Sequence, residues 1–123
     1  PYEPAGLMFV PHWSPDGKRV IGRLHDRMIS VADASTWSVS KAWDVGFVPR
    51  WVGNDALIYR GRAGRLIWQM VDEDRGSLLL TAPAGETIQS FDVSDDGKTL
   101  IVGRGSTDTT IWVADLTETV ATK

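Results

Sequence analysis

An internal repeat constrains this chain more than any other feature. Phe9-Val10-Pro11-His12-Trp13 returns 38 residues later as Phe47-Val48-Pro49-Arg50-Trp51. Ser14-Pro15-Asp16-Gly17-Lys18 returns 80 residues later as Ser94-Asp95-Asp96-Gly97-Lys98. A third echo runs Val31-Ala32-Asp33, Met70-Val71-Asp72 and Val113-Ala114-Asp115. A period of about 40 residues is the spacing of supersecondary units that stack on one another.

Each copy reads as short strands separated by turns. In the first, Phe9–Trp13 is followed by Ser14-Pro15-Asp16-Gly17, where Pro presets φ, Asp bonds nearby backbone and Gly accepts positive φ. Arg19–Leu24 is a second strand, His25-Asp26 a turn, Arg27–Asp33 a third strand and Trp37–Val45 a fourth. In that fourth strand Trp37, Val39 and Trp43 set against Ser38 and Ser40 suggest period two. The second copy predicts strands over Phe47–Trp51, Ala56–Arg60, Leu66–Asp72 and Ser77–Thr81. The third predicts Ile88–Val93, Thr99–Arg104 and Thr109–Asp115, with a short polar fourth strand over Thr117–Lys123. The turn of the second copy is degenerate, reading Val52-Gly53-Asn54-Asp55. Twelve glycines and six prolines leave little room for long helices.

Four strands per period of about 40 is the signature of a β-propeller blade. A single four-stranded sheet has two apolar faces and cannot bury both; stacking on the next sheet does so. The expected fold is therefore all-β, a propeller-type array over residues 1–123. Blade 1 falls at about 7–45, blade 2 at about 47–81 and blade 3 at about 88–123, with its last strand incomplete or supplied elsewhere. Trp13, Trp51 and Trp112 are the expected wedges between blades, with Val93 in the matching place of the third copy. Three blades are too few for a closed ring. The array is expected to be part of a six-bladed or larger propeller, or to be completed by a homodimer that also covers the exposed end faces.

The motif Trp13-Ser14-Pro15-Asp16-Gly17-Lys18-Arg19-Val20 resembles the start of the PD40, or TolB-type WD40-like, repeat. Ile111-Trp112-Val113-Ala114-Asp115 is similar to its third strand. Phe91-Asp92-Val93-Ser94-Asp95-Asp96-Gly97-Lys98 resembles the unit again, with Asp95 where the family has Pro. The resemblance implies a propeller of six to eight blades in a periplasmic or otherwise extracytoplasmic setting, with a cytoplasmic one left open. It implies the C-terminal part of a TolB-like protein, a bacterial regulator or a receptor kinase. The family also includes the accessory propellers of prolyl-oligopeptidase-like peptidases, so that reading stands as an alternative, as does a module that only self-assembles.

Composition narrows the function classes. The net charge is −3 with acids and bases interspersed, so no nucleic-acid footprint is expected. No apolar run approaches membrane-spanning length. The chain begins at Pro1 rather than Met, which leaves any targeting segment and the compartment open. There are no cysteines, hence no disulfide, thiolate metal site or Cys nucleophile. His12 and His25 are the two histidines and have no closely spaced ligand set, so no zinc site is expected. Ser14 and Ser94 lack a nucleophile elbow, which argues against a catalytic triad. Asp95-Asp96-Gly97-Lys98 and Asp72-Glu73-Asp74 lack the full calcium-loop pattern and read as turns. Gly61-Arg62-Ala63-Gly64-Arg65 and Gly103-Arg104-Gly105-Ser106 precede no helix and read as hairpin connections rather than phosphate loops, so no cofactor is expected. Arg60, Arg62 and Arg65 cluster where an acidic partner could bind, although a solvated loop explains them too.

One set of positions stands out as a candidate site. His12, Arg50 and Asp92 each precede the residue at the end of a blade's first strand. In a propeller that strand lies innermost, so the three are expected to line a polar, channel-side binding site. Polar contact between blades is the plainer account of the same residues. The expected role is non-enzymatic: binding a protein partner or a small ligand on a rigid scaffold.

Overall fold

The computed structural model describes residues 8–24, 28–105 and 109–116. Strands β1 (Met8–Trp13), β2 (Arg19–Leu24), β3 (Met28–Asp33) and β4 (Val39–Val45) form the first sheet, in that order. Strands β5 (Phe47–Val52), β6 (Ala56–Arg60), β7 (Leu66–Met70) and β8 (Ser77–Leu80) form the second. Strands β9 (Thr87–Val93), β10 (Thr99–Gly105) and β11 (Thr109–Asp115) form the third. Each pairing is antiparallel between neighbours in sequence. These are successive blades of a partial propeller. The fourth strand expected over Thr117–Lys123 and the turn at His25-Asp26 lie outside the described residues.

Turn chemistry explains where the first hairpins close. The Ser14 hydroxyl donates to Asp16 Oδ1 at 2.6 Å, and Asp16 Oδ1 also accepts the Lys18 N–H at 3.0 Å. Ser14 Oγ in turn accepts the Arg19 N–H at 3.1 Å, and Gly17 takes φ +74°. The third blade repeats this bond for bond: Ser94 to Asp96 at 2.6 Å, Lys98 N–H to Asp96 at 3.0 Å and Thr99 N–H to Ser94 at 3.0 Å. Asp95 in place of Pro15 therefore costs the motif none of its hydrogen bonds, because Ser, Asp and Gly make them. In both turns these hydrogen bonds hold the carboxyl of Asp16 and Asp96 below the usual range.

One expected strand begins later than its sequence suggests. Trp37 does not open β4; its φ of +59° places it in the left-handed region, in a turn held by Asp33. Asp33 Oδ1 accepts the N–H groups of Ser35 at 2.8 Å and Thr36 at 3.3 Å, which turns the chain before pairing starts at Val39.

Register decides which residues share a face. Trp13 pairs with Val20, Trp51 with Leu57, and Leu100 with Val93, so these pairs are equivalent points of the three blades. From that alignment Ile21, Ile58 and Ile101 correspond, as do Val31, Trp68 and Val113, and Ile29, Leu66 and Ile111. These are the forward face of each blade, which blades 1 and 2 turn to the next blade in the chain. On blade 1, Ile21, Ile29 and Val31 pack with Trp43 against Leu57 and Tyr59 of blade 2, with Trp51 and Ile67 beside them. On blade 2, Ile58, Leu66 and Trp68 pack against Phe91, Leu100 and Val102 of blade 3, with Val93 and Trp112 beside them. Two apolar seams thus form the core.

Polar contacts fix the blades' angle around those seams. Asn54 accepts the Asp16 N–H at 2.9 Å through Oδ1, and its carbonyl accepts Arg19 Nη1 at 3.0 Å. Trp43 Nε1 donates to the Glu73 carbonyl at 2.9 Å, and Lys41 pairs with Asp74 at 2.7 Å. Across the second seam Arg60 Nη1 donates to the Ile88 carbonyl at 3.1 Å.

Candidate binding site

The first strands of the three blades, β1, β5 and β9, are edge strands and lie against one another in sequence order. Each first strand carries one extra residue relative to its partner: between Phe9 and His12, between Phe47 and Arg50, and between Ile88 and Ser90. Such bulges bend a strand and re-aim the side chains beyond it. The bulge of β5 is strained, because Val48 sits at φ +51°. A β-branched residue in that region is a true outlier, held by its surroundings. Val48 is followed by buried Pro49 and then by Arg50.

Arg50 joins the three candidate residues. Its Nη1 lies 2.9 Å from His12 Nε2 and donates to the Pro49 carbonyl at 3.0 Å. Its Nε lies 3.7 Å from Asp92 Oδ1, which also accepts the Val93 N–H at 2.8 Å. A guanidinium only donates, so His12 Nε2 accepts and the neutral ring carries its proton on Nδ1. Partial burial, then the charge of Arg50, pushes the His12 pKa below its usual value, against a smaller opposing pull from Asp92. The result is a row of a neutral imidazole, a guanidinium and a carboxylate, one from each blade. Arg50 makes these contacts through Nη1 and Nε, and its Nη2 has no partner among the described residues.

The three expected wedges have different fates. Trp51 sits in the first seam, where its Nε1 donates to the His12 carbonyl at 2.9 Å. Trp112 lies in the second seam with the Arg104 guanidinium 3.8 Å from its ring centroid. Trp13 lies in neither seam. It is 57% exposed and meets Trp37 edge-on at a centroid distance of 5.8 Å. The reason is positional: Trp51 faces back onto blade 1, whereas Trp13, its equivalent, faces back from blade 1 with no blade behind it among the described residues.

An exposed end face is expected from the sequence, but its residues are not singled out there. Ile101, Ile111 and Val113 are 48%, 62% and 68% exposed, although their equivalents Ile21 and Ile58, Ile29 and Leu66, and Val31 are fully buried. Superposing the three copies by strand register, rather than by motif, is the signal that finds them. Among the described residues no three His, Cys, Asp or Glu side chains gather as a metal site. No described helix is long and apolar enough to cross a membrane.

Comparison with known proteins agrees on the fold. The C-terminal WD40 domain of Sif2 superposes with a TM-score of 0.70 at 17% identity, over 94% of this chain and 33% of that one. A chain of the Mitotic Checkpoint Complex superposes with a TM-score of 0.64 at 17% identity, over 83% of this chain and 33% of its own. This chain thus spans about a third of the length of each. No protein-family profile and no curated protein matches the sequence. At this identity the likeness speaks for the fold alone: the chain folds as three successive sheets of β-propeller type, similar to blades of the WD40 domains.

Proposed function

We propose that this segment is a non-enzymatic binding scaffold whose principal partner surface is another propeller blade. The exposed forward face of blade 3 carries the reading, because Ile101, Ile111 and Val113 repeat the positions that bury the two internal seams. Isolated exposed apolar residues need no explanation, but a contiguous set on one sheet face marks an interaction surface. What fits such a face is the rear face of a blade. Exposed Trp13 on blade 1 holds the rear-face position that Trp51 and Val93 fill within the molecule.

A second copy of the chain supplies that face. Two copies set head to tail would form two identical new seams and a ring of six blades, within the usual range for propellers. The row of His12, Arg50 and Asp92 would then line the inner edge of the ring and offer Arg50 to an acidic group of a protein or small ligand. The Trp13–Val20 motif supports placing the segment among TolB-like repeat proteins, and with them in an extracytoplasmic setting.

Sedimentation velocity over a wide concentration range tests the association. The expected result is a dimer that dissociates on dilution and is lost in Val113→Asp, since a buried unpaired carboxylate is strongly unfavourable. A wild-type chain that stays monomeric at every concentration would remove this reading of the face.

A further inference from the structure

Between blades 1 and 2, apart from the His12–Arg50–Asp92 row, lies an open cleft of about 580 Å³. Comparison with the next seam explains why it is there. Register aligns Gly61 with Arg104 and Ile67 with Trp112. In the second seam the Arg104 guanidinium stacks on the Trp112 ring and pairs with Glu86 at 2.7 Å. The first seam has no side chain at 61 and a shorter one at 67, so the same place is left open.

The cleft has two chemically distinct parts. Its inner wall is apolar, made by Trp43, Tyr59 and Ile67. Its mouth carries Arg62 and Arg65 from the turn between β6 and β7, and Arg75 from the turn between β7 and β8. None of these three guanidinium groups has an ion pair or side-chain hydrogen bond among the described residues. The acid of the lining, Asp74, is engaged by Lys41 at 2.7 Å. Three unpaired cations beside one neutralised carboxylate favour an anion.

The base of the cleft adds an independent observation. Gln69 is fully buried, and its Nε2 donates to the carbonyls of Met70 and Glu73, each at 2.9 Å. Those two bonds fix the orientation of the amide and leave buried Oε1 without a partner. Gly76 covers it with no side chain; a Cβ there would come within 3.0 Å of Oε1 and 2.5 Å of Ile67. Native proteins rarely leave such an acceptor unpaired, and a donor entering the cleft past Gly76, from a ligand or from a water ordered with it, would satisfy it.

We propose that this cleft is a site for a small organic anion. A flat apolar stem lies along Tyr59 and Ile67, in the space that Gly61 leaves, and a carboxylate or phosphate head is held by Arg62, Arg65 and Arg75. The site needs only blades 1 and 2, so it does not depend on how the end faces are covered.

The test uses the whole chain, with benzoate, phenyl phosphate, inorganic phosphate and benzyltrimethylammonium as probes. The readouts are the Trp43 indole N–H resonance, assigned with Trp43→Phe, and calorimetric titration. Saturable shifts are expected with benzoate or phenyl phosphate, which between them distinguish a carboxylate site from a phosphate site, and none with the cation. Gly61→Arg rebuilds the plug of the next seam and should abolish binding while the melting temperature holds. The backbone at 61 has φ −94°, and the nearest obstacle to a Cβ is the Ile67 side chain at 3.2 Å. Should that variant fold poorly, the triple change Arg62→Ala, Arg65→Ala, Arg75→Ala touches only exposed side chains. It should weaken binding by roughly ten- to a hundredfold, the worth of charge-assisted hydrogen bonds. No saturable binding of either aromatic anion would overturn the proposal, as would binding undiminished in a folded Gly61→Arg or in the triple variant. Inorganic phosphate binding as tightly as phenyl phosphate would overturn the apolar stem.

Discussion

Three isoleucines at one register position make a controlled experiment. Ile21, Ile58 and Ile101 occupy the same point on blades 1, 2 and 3, but the first two are fully buried and Ile101 is 48% exposed. Truncating Ile58 to Ala removes methylene groups from the second seam and leaves a cavity against Leu100 and Val102, at a cost of about 2–5 kcal/mol. Truncating Ile101 removes atoms that already meet water on one side, so in dilute protein the cost should stay within about 1 kcal/mol. Raising the concentration should change Ile101 alone. Once the forward face of blade 3 is covered, burial of its remaining surface adds roughly 1 kcal/mol, scaled from the 1.5–3 kcal/mol of a fully buried aliphatic side chain. Urea unfolding followed by tryptophan fluorescence, at a low and a high protein concentration, gives these values from shifts in midpoint at constant m. Ile58→Val, expected to cost about 0.5–1.5 kcal/mol, serves if the alanine variant is too unstable to measure. An Ile101→Ala loss equal to that of Ile58→Ala in dilute protein would refute the reasoning, since the two positions would then be buried alike within one chain.

Further outcomes follow from single contacts. Ser14→Ala should cost about 1–3 kcal/mol by urea unfolding, because buried Ser14 both donates to Asp16 and accepts the Arg19 N–H; Ser94→Ala, with the same bonds on the surface, should cost clearly less. Gly46→Ala should destabilise by about 1–3 kcal/mol through overpacking, as its Cβ would come within 2.6 Å of the Tyr59 ring and 2.9 Å of Ile29. The depressed pKa of His12 means that the unfolded chain binds the proton more readily than the folded one. Its stabilising contribution is therefore complete above the unfolded value of 6.5 and is lost as pH falls from there through the folded pKa. A His12→Gln variant should show a flatter stability profile across that window, measured by thermal melts at closely spaced pH; an unchanged slope would contradict the assignment.

Much of the fold was legible because its signals are local. The hairpin turn at Ser14–Gly17 is written in four residues whose hydrogen bonds close on themselves, and the same chemistry at Ser94–Gly97 needs no proline. Strand β6 over Ala56–Arg60 and strand β11 over Thr109–Asp115 fall where the apolar runs and turn residues place them. The position of Trp37 was less legible, because its neighbours read as period two while Asp33 captures the backbone into a turn. The candidate row was visible as three matching positions, but not as a linked set. That link depends on a bulge at Val48 and on the reach of one guanidinium from β5 to the strands on either side.

Alone, the amino-acid order determined the repeat, the alternation of strand and turn, and the need for like sheets to stack, since these rest on residue type and spacing. Tertiary structure decided which surfaces found a neighbour. Trp13 and Trp51 are the same residue in the same motif, yet one is exposed and the other holds a seam together, because among the described residues only the second has a blade behind it. Gly61 and Arg104 likewise share a register position, and the absence of a side chain at the first opens a cleft that the second fills. Burial depends on partners distant in the chain, and a period of about 40 residues repeats the strands without repeating what packs against them.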